Sequence, residues 1–272
     1  MPAMAGHCED PRYPALAGHW VVGCSKTKAV DLALDLKTGR KVPLKPMKDP
    51  GLSDGLVYTP EHGRIQLTQP DDARSSPFQR NRFAHRVSPP AVAASGIAVV
   101  QPQTLDVLAT DSRVIRKFGE GNAPKPLGWQ PPAISGDTVL WTVDSQTDGA
   151  DVWWASVSKG QPELLAGGPG DQHHVAAAGD WVVWVEPEAV VILNTATQQR
   201  TSHPASTGFA ARPTVWQGVA CWETRDGPDV DIACSDGHRI QGAGHQRYPS
   251  RWGNWLLYRE GGTVFLHTFE GS

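Results

Sequence analysis

No stretch of the chain approaches the roughly 20 apolar residues that span a bilayer; the longest apolar runs, such as residues 181–185, are strand-sized. There is no surplus of charge either. A formal net charge of −3 gives no overall pull toward nucleic acid or an anionic membrane surface. No basic n-region and apolar h-region open the sequence, although Ala3-Met4-Ala5 has the small-x-small form left at a leader cleavage site. The four cysteines include no CxxC pair, so zinc-ribbon and thioredoxin-like readings have no support. Gly-x-Ser-x-Gly elbows, phosphate loops and HExxH helices are missing too, and with them the local motifs of acyl transfer, nucleotide binding and zinc proteolysis. Amphipathic runs of period 3.6 are absent, which excludes helical repeats.

What the chain does have is punctuation and tryptophan: 28 Gly, 23 Pro and 11 Trp. The Gly and Pro cut it into short β-rich runs. One phrase recurs: a Pro, a short apolar pair, a Gly turn, then a β-branched run ending in an aromatic. Pro132-Ala133-Ile134-Ser135-Gly136-Asp137-Thr138-Val139-Leu140-Trp141 is the clearest copy, and Pro213-Thr214-Val215-Trp216-Gln217-Gly218-Val219-Ala220-Cys221-Trp222 is another. The anchor glycines are Gly18, Gly55, Gly96, Gly136, Gly179, Gly218 and Gly253, spaced at about 40 residues, the length of a four-stranded propeller blade. Each unit continues with a run often opened by Asp (Asp31, Asp106, Asp151, Asp231), a turn, and a last short strand. The pattern predicts one all-β domain over residues 1–272, a seven-bladed β-propeller of four-stranded blades.

The last unit stops after Val264-Phe265-Leu266-His267 and lacks a fourth strand. Residues 4–11 match residues 242–249, the junction between units six and seven. The N-terminal strand, residues 2–5, is therefore expected to complete the last blade and close the ring, which removes two sheet edges open to aggregation. The phrase Pro-Ala-Ile-Ser-Gly-Asp-x-Val-x-Trp followed by Asp151-Val152-Trp153 resembles the propeller repeats of the TolB C-terminal domain and related exported bacterial proteins. It covers nearly the whole chain, although that family usually has six blades and an additional N-terminal α/β domain. The resemblance implies a periplasmic or extracellular binding scaffold and no particular reaction.

Residues just before each repeat Pro are expected in inter-blade loops that line a funnel on one face. They include Arg12, Tyr13, Lys48, Arg86, Trp129, His173, His174, Arg212, Arg247 and Tyr248. Cations collected from separate loops suit a carboxylate, a sulfate or an acidic side chain; the plainer alternative is that they are solvated or paired with nearby Asp. Asp171, His173 and His174, with His7, Asp10 and His245 in equivalent loops, have the ligand types of a divalent metal. Adjacent His residues on a strand point opposite ways, however, so both would ligate only in a loop, and hydrogen bonding to backbone at the blade junction is the better account of them. No cofactor is expected. Asp144, Asp148, Gly149 and Asp151 faintly resemble a calcium loop, but Glu223, Asp226, Gly227 and Asp229 repeat the pattern, so hairpin-turn chemistry explains both.

Trp20, Trp181 and Trp255 follow the anchor Gly by two, and Trp141, Trp184 and Trp222 end the second strand. That regularity means packing between blades; Trp129 and Trp153 break it and are better placed for sugar stacking. Cys221 and Cys234 are centred on the Gly227-Pro228 turn and are expected to face each other across a hairpin, close enough for a disulfide. Cys8 and Cys24 form a second candidate pair. The leading functional expectation is a monomeric, non-enzymatic scaffold holding a protein segment or acidic ligand on the funnel face, with no nucleic acid and no membrane span. The alternatives are a lectin-like module and a polysaccharide lyase or hydrolase with a metal-assisted site in the funnel.

Overall fold

The computed structural model describes residues 130–145, 149–205, 209–261 and 263–269 continuously. Earlier in the chain it describes residues 3–4, 15–17, 20–24, 31–43, 51–53, 56–61, 64–68, 91–93, 96–100, 103–109, 114–120 and 124–127. The described chain is all-β. Its strands form six four-stranded sheets and one three-stranded sheet, all antiparallel, and strand order follows chain order in each except the last.

The fifth unit shows the pattern. His173–Ala178 pairs with Trp181–Glu186, which pairs with Ala189–Asn194, which pairs with Arg200–Pro204. Two-residue Gly-containing turns make the first hairpins of units four to seven, at Gly136-Asp137, Gly179-Asp180, Gln217-Gly218 and Gly253-Asn254. Positive φ at these glycines is what such tight hairpins require. At Gly218 a Cβ would also lie 2.9 Å from the Trp181 ring of the preceding unit, so packing and backbone both demand glycine there. In the seventh unit Gln246–Trp252, Trp255–Glu260 and Thr263–Thr268 come from the C-terminal end of the chain. The fourth strand is Ala3–Met4, with Ala3 opposite Phe265 and Met4 opposite Val264.

Both faces of these sheets are covered, each by a neighbouring sheet. Along Val139-Leu140-Trp141 the strand's two-residue period sends Val139 and Trp141 into a core shared with the third unit, and Leu140 into one shared with the fifth. Val182 and Trp184 face back toward the fourth unit, while Val183 and Val185 face the sixth. Trp222 likewise faces the fifth unit, and Tyr258 faces the sixth. In units four to seven the aromatic of the second strand thus packs on the preceding sheet; Trp141, for instance, stacks on Phe118 at 5.2 Å. The first strand of each sheet lies beside the first strand of the next, and Ala15–Ala17 also lies beside Gln246–Trp252.

Cys221 and Cys234 are directly opposed in the sixth sheet, with Cα atoms 4.0 Å apart, and are joined by a disulfide. Cys8 lies outside the described residues, so the pairing of Cys8 with Cys24 is not described. The bridge sits inside the core between units six and seven, with Ile232, Leu256 and Tyr258. It closes a loop of sequence separation 13, for which the chain-entropy model gives a stabilisation of about 3 kcal/mol. Cys221→Ala with Cys234→Ala is therefore expected to lower the thermal midpoint by several degrees. Addition of reductant to the native protein should do the same once the bridge becomes accessible. Equal melting curves with and without the bridge would contradict this role.

Candidate functional site

Of the ten predicted funnel residues, Arg12, Tyr13, Lys48, Arg86 and Trp129 lie outside the described residues. The other five, His173, His174, Arg212, Arg247 and Tyr248, belong to three consecutive units, and interactions link them into one cluster with Glu223. They are not in loops, as the sequence suggested, but within the first strands His173–Ala178, Ala210–Trp216 and Gln246–Trp252. Each of these strands has a register irregularity at that point. At the irregularity sits a residue in the left-handed region: His174 (φ 53°), Arg212 (φ 47°) and Tyr248 (φ 58°). The three are repeat-equivalent, four residues before the end of the first strand. Bulges re-aim side chains in this way, and the left-handed turn brings the rings of His173 and His174 within 4.3 Å of each other. Strict strand alternation would have sent them to opposite faces.

A non-glycine residue at positive φ needs neighbours that hold it there. Side chains of the preceding unit supply that hold. The Tyr248 backbone N–H donates to Glu223 Oε1 at 2.8 Å, and the His174 N–H donates to Gln130 Oε1 at 2.8 Å. Gln130 also accepts from the Thr142 hydroxyl at 3.1 Å. Thr142 and Glu223 occupy equivalent places on the second strands of units four and six. The same device therefore operates at two blade junctions, once through an amide and once through a carboxylate.

Glu223 is the member that sequence reasoning placed wrongly. Its resemblance to the Asp144 region suggested a hairpin turn, but it lies in the strand Val219–Thr224 and is 0% exposed. Its Oε2 accepts from Arg212 Nη1 at 2.8 Å, and Arg247 Nη1 lies 4.0 Å away. A buried carboxylate is stable only when paired and hydrogen-bonded, and Glu223 meets both conditions. Arg212 and Arg247 remain about one-third exposed, and the Arg212 guanidinium lies 4.7 Å over the Tyr248 ring. The arrangement therefore presents two half-buried guanidinium groups in front of a buried carboxylate, with a phenol and two imidazoles beside them.

The imidazoles add no positive charge near neutral pH. Burial, together with the adjacent His173 and Arg212, holds His174 down at about 3. Burial also lowers His173, against the opposing pull of the Val185 backbone and Asp171. Several polar atoms here are buried without a protein partner: Nδ1 of both histidines, Gln130 Nε2 and Gln172 Oε1.

The other sequence candidates have structural work. His245 Nδ1 accepts the Val230 N–H at 3.0 Å, and Asp171 Oδ1 accepts the Ala150 N–H at 3.0 Å. His7 and Asp10 lie outside the described residues. Among the described residues no group of three or more His, Cys, Asp or Glu could hold a metal ion. Trp153 is partly buried against the core between units three and four. Trp141, Trp184 and Trp222 are buried.

Sheets of this form, each packed face to face on the next, define a β-propeller. Solved structures of such proteins resemble the chain at low sequence identity. BamB from Moraxella catarrhalis is 14% identical, with a TM-score of 0.56 over 94% of this chain and 84% of its own. The β-propeller domain of the trilobed protease from Pyrococcus furiosus, described as having an open velcro topology, is 11% identical, with a TM-score of 0.66 over 96% and 95%. A chain of the mitotic checkpoint complex is 12% identical, with a TM-score of 0.65 over 98% and 92%. These likenesses establish the fold and nothing finer. No protein-family model matches the chain, and no curated protein sequence matches it.

Proposed function

We propose that the chain is a closed, seven-bladed propeller that acts as a monomeric, non-enzymatic binding scaffold outside the cytoplasm, holding an acidic segment of a partner protein on the face that carries Arg212 and Arg247. The observation that carries this reading is the pair of partly exposed guanidiniums from consecutive blades beside one buried carboxylate. Blades place residues of distant sequence around one axis, and clefts lined by one sign of charge focus its field. Seven blades and closure draw support from the seven antiparallel sheets, from the contact of Ala15–Ala17 with Gln246–Trp252, and from the Ala3–Met4 strand on the last sheet. The Cys221–Cys234 disulfide supports an oxidising compartment, periplasmic or extracellular. The similar chain from the mitotic checkpoint complex comes from a multi-component assembly, which suits a scaffold role.

The test is binding to acidic peptides and to anionic oligosaccharides, at low and high salt, for the native protein and for Arg212→Ala with Arg247→Ala. Acidic peptides are expected to bind with an affinity that falls as salt rises. The double variant should lose at least about tenfold, the effect of removing roughly 1.4 kcal/mol of charge-assisted contact. Unchanged affinities in the double variant would move the binding surface elsewhere. Preference for the oligosaccharides would favour the lectin-like reading.

A further inference from the structure

We infer that the Cys221–Cys234 bridge is a reducible switch with a fixed direction: a thiolate reductant attacks Cys234, and Cys221 leaves as a thiolate held by Arg251. Its operation does not depend on what the Arg212–Arg247 face binds.

The placement of Arg251 comes first. The residue belongs to the strand Gln246–Trp252 of the seventh unit, yet its side chain, 5% exposed, reaches into the sixth. Its backbone N–H donates to the Thr214 hydroxyl at 3.1 Å, and its guanidinium lies 4.5 Å over the Phe269 ring. So held, Nη1 points at the Cys221 sulfur, 3.5 Å away, and at Asp236 Oδ2, 3.4 Å away. A sulfur is a weak acceptor while it remains in the bridge, so the cation gains little from Cys221 in the oxidised protein. A thiolate at the same place is an anion beside a buried cation. Arg251 therefore stabilises the reduced form more than the oxidised one, as a neighbouring arginine does when it lowers the pKa of a thiol.

The charge of Arg251 is met only in part. Asp236 faces it at a distance longer than the about 2.7–2.9 Å of a charge-assisted bond. Asp236 is also shared: its Oδ1 lies 3.0 Å from His238 Nδ1 and accepts the His238 N–H at 3.2 Å. Arg251 Nε is buried with no protein partner, and burial pulls the guanidinium below its ordinary range against the pull of Asp236. Tyr258 shares the core with Cys221, and His267 packs on Phe269. Neither supplies an anion, because burial raises the phenol and lowers the imidazole. A buried charge is costly unless paired, and a thiolate at Cys221 completes the pairing.

Access gives the direction. Cys221 is 0% exposed and Cys234 6%. Cys234 ends the strand Asp231–Cys234, beside the exposed turn at Asp236-Gly237. The strand outside it, Arg239–Ile240, is two residues long and pairs with Ile232 and Ala233. Short edges open locally before a core does, and fraying here uncovers Cys234 while Cys221 stays covered by the seventh unit. The reductant's sulfur then forms a bond to Cys234 Sγ, the Cys221–Cys234 bond breaks, and its electron pair goes to Cys221 Sγ. A second thiolate of the reductant attacks the mixed disulfide at the reductant's own sulfur. Cys234 leaves and takes a proton from water. Two electrons have passed from two thiols, now joined as a disulfide, to the two cysteines.

The full chain is equilibrated with reduced and oxidised glutathione at graded ratios, quenched in acid, digested with pepsin and mapped by mass spectrometry. Glutathione is expected on Cys234 in about tenfold excess over Cys221. Arg251→Met should make the bridge about tenfold harder to reduce, or about 30 mV for a two-electron couple, and should narrow the preference for Cys234. Arg251→Lys keeps the cation and should stay close to the native chain. Asp236→Asn keeps an acceptor for the His238 N–H but removes the competing anion, so it should ease reduction by about threefold. Mere loosening of the junction would ease reduction in every variant, so the opposite signs of Arg251→Met and Asp236→Asn separate charge from packing. Should Arg251→Met fail to fold, the native preference and the Asp236→Asn shift decide alone. A native bridge that stays intact at every ratio until the protein unfolds overturns the switch. Equal glutathione on the two sulfurs of the native chain overturns the direction, and easier or unchanged reduction of a folded Arg251→Met protein overturns the role of Arg251.

Discussion

Glu223→Ala is expected to destabilise the protein by about 2–3 kcal/mol, the cost of leaving the Tyr248 N–H without its acceptor and of losing the charge-assisted bond to Arg212. The side chain is 0% exposed and holds three groups: the Arg212 guanidinium, the Tyr248 backbone N–H and, at longer range, Arg247. Alanine leaves two cations facing each other without their shared anion. It also leaves the Tyr248 N–H, at a φ of 58°, without its acceptor. At about 2–4 °C per kcal/mol for a chain of a few hundred residues, the thermal midpoint should fall by roughly 5–10 °C. Glu223→Gln should cost distinctly less, because it keeps the hydrogen bond and loses only the charge. The double variant Glu223→Ala with Arg212→Ala should recover part of the loss, since the remaining cation then has less to repel it. A Glu223→Ala protein that melts within a degree or two of the native one would show that the carboxylate does not organise this site.

The β architecture could be read from the sequence because its causes are local. Two-residue glycine turns, two-residue alternation and a tryptophan at a fixed place in each unit leave marks in the residues themselves. In the structure Trp141, Trp184 and Trp222 all face the preceding sheet, as their equivalent places in the repeat suggest. The site was legible only as a list of residues. His174, Arg212 and Tyr248 take left-handed backbone without being Gly or Asn, and nothing local announces it. At His174 and Tyr248 that conformation is held by Gln130 and Glu223, side chains 44 and 25 residues upstream. Glu223 was misread for the same reason. Beside Asp226 and Gly227 it resembles turn chemistry, and only its register in the strand shows that it points inward to a neighbouring blade. Glu223 directly follows the apolar run Val219-Ala220-Cys221-Trp222, and the polar Thr224-Arg225-Asp226 after it reads as the approach to the Gly227 turn, so the sequence itself does not mark the carboxylate as buried.

Removing residues 1–6 is the second change expected to have a large effect, and it tests closure of the ring. Ala3 and Met4 pair with Phe265 and Val264, and they are the strand outside Thr263–Thr268 in the last sheet. Without them the backbone groups along that edge lose their partners. A few ladder hydrogen bonds at about 0.5–1.5 kcal/mol each amount to roughly 2 kcal/mol, or a thermal midpoint lower by about 4–8 °C. The exposed edge adds a second consequence, because an unpaired strand is a template for another chain. The truncated protein should therefore associate in a concentration-dependent manner, visible by light scattering, more strongly than the full chain. A synthetic peptide of residues 1–10 added in excess should restore the midpoint and suppress the association, since it can occupy the same edge. Substitution within Ala3–Met4 by proline should reproduce the truncation, because proline removes a ladder donor. If the truncated chain melts like the full one and shows no added association, the terminal strand does not hold the last sheet, and the closed ring loses this support, leaving only the contact of Ala15–Ala17 with Gln246–Trp252.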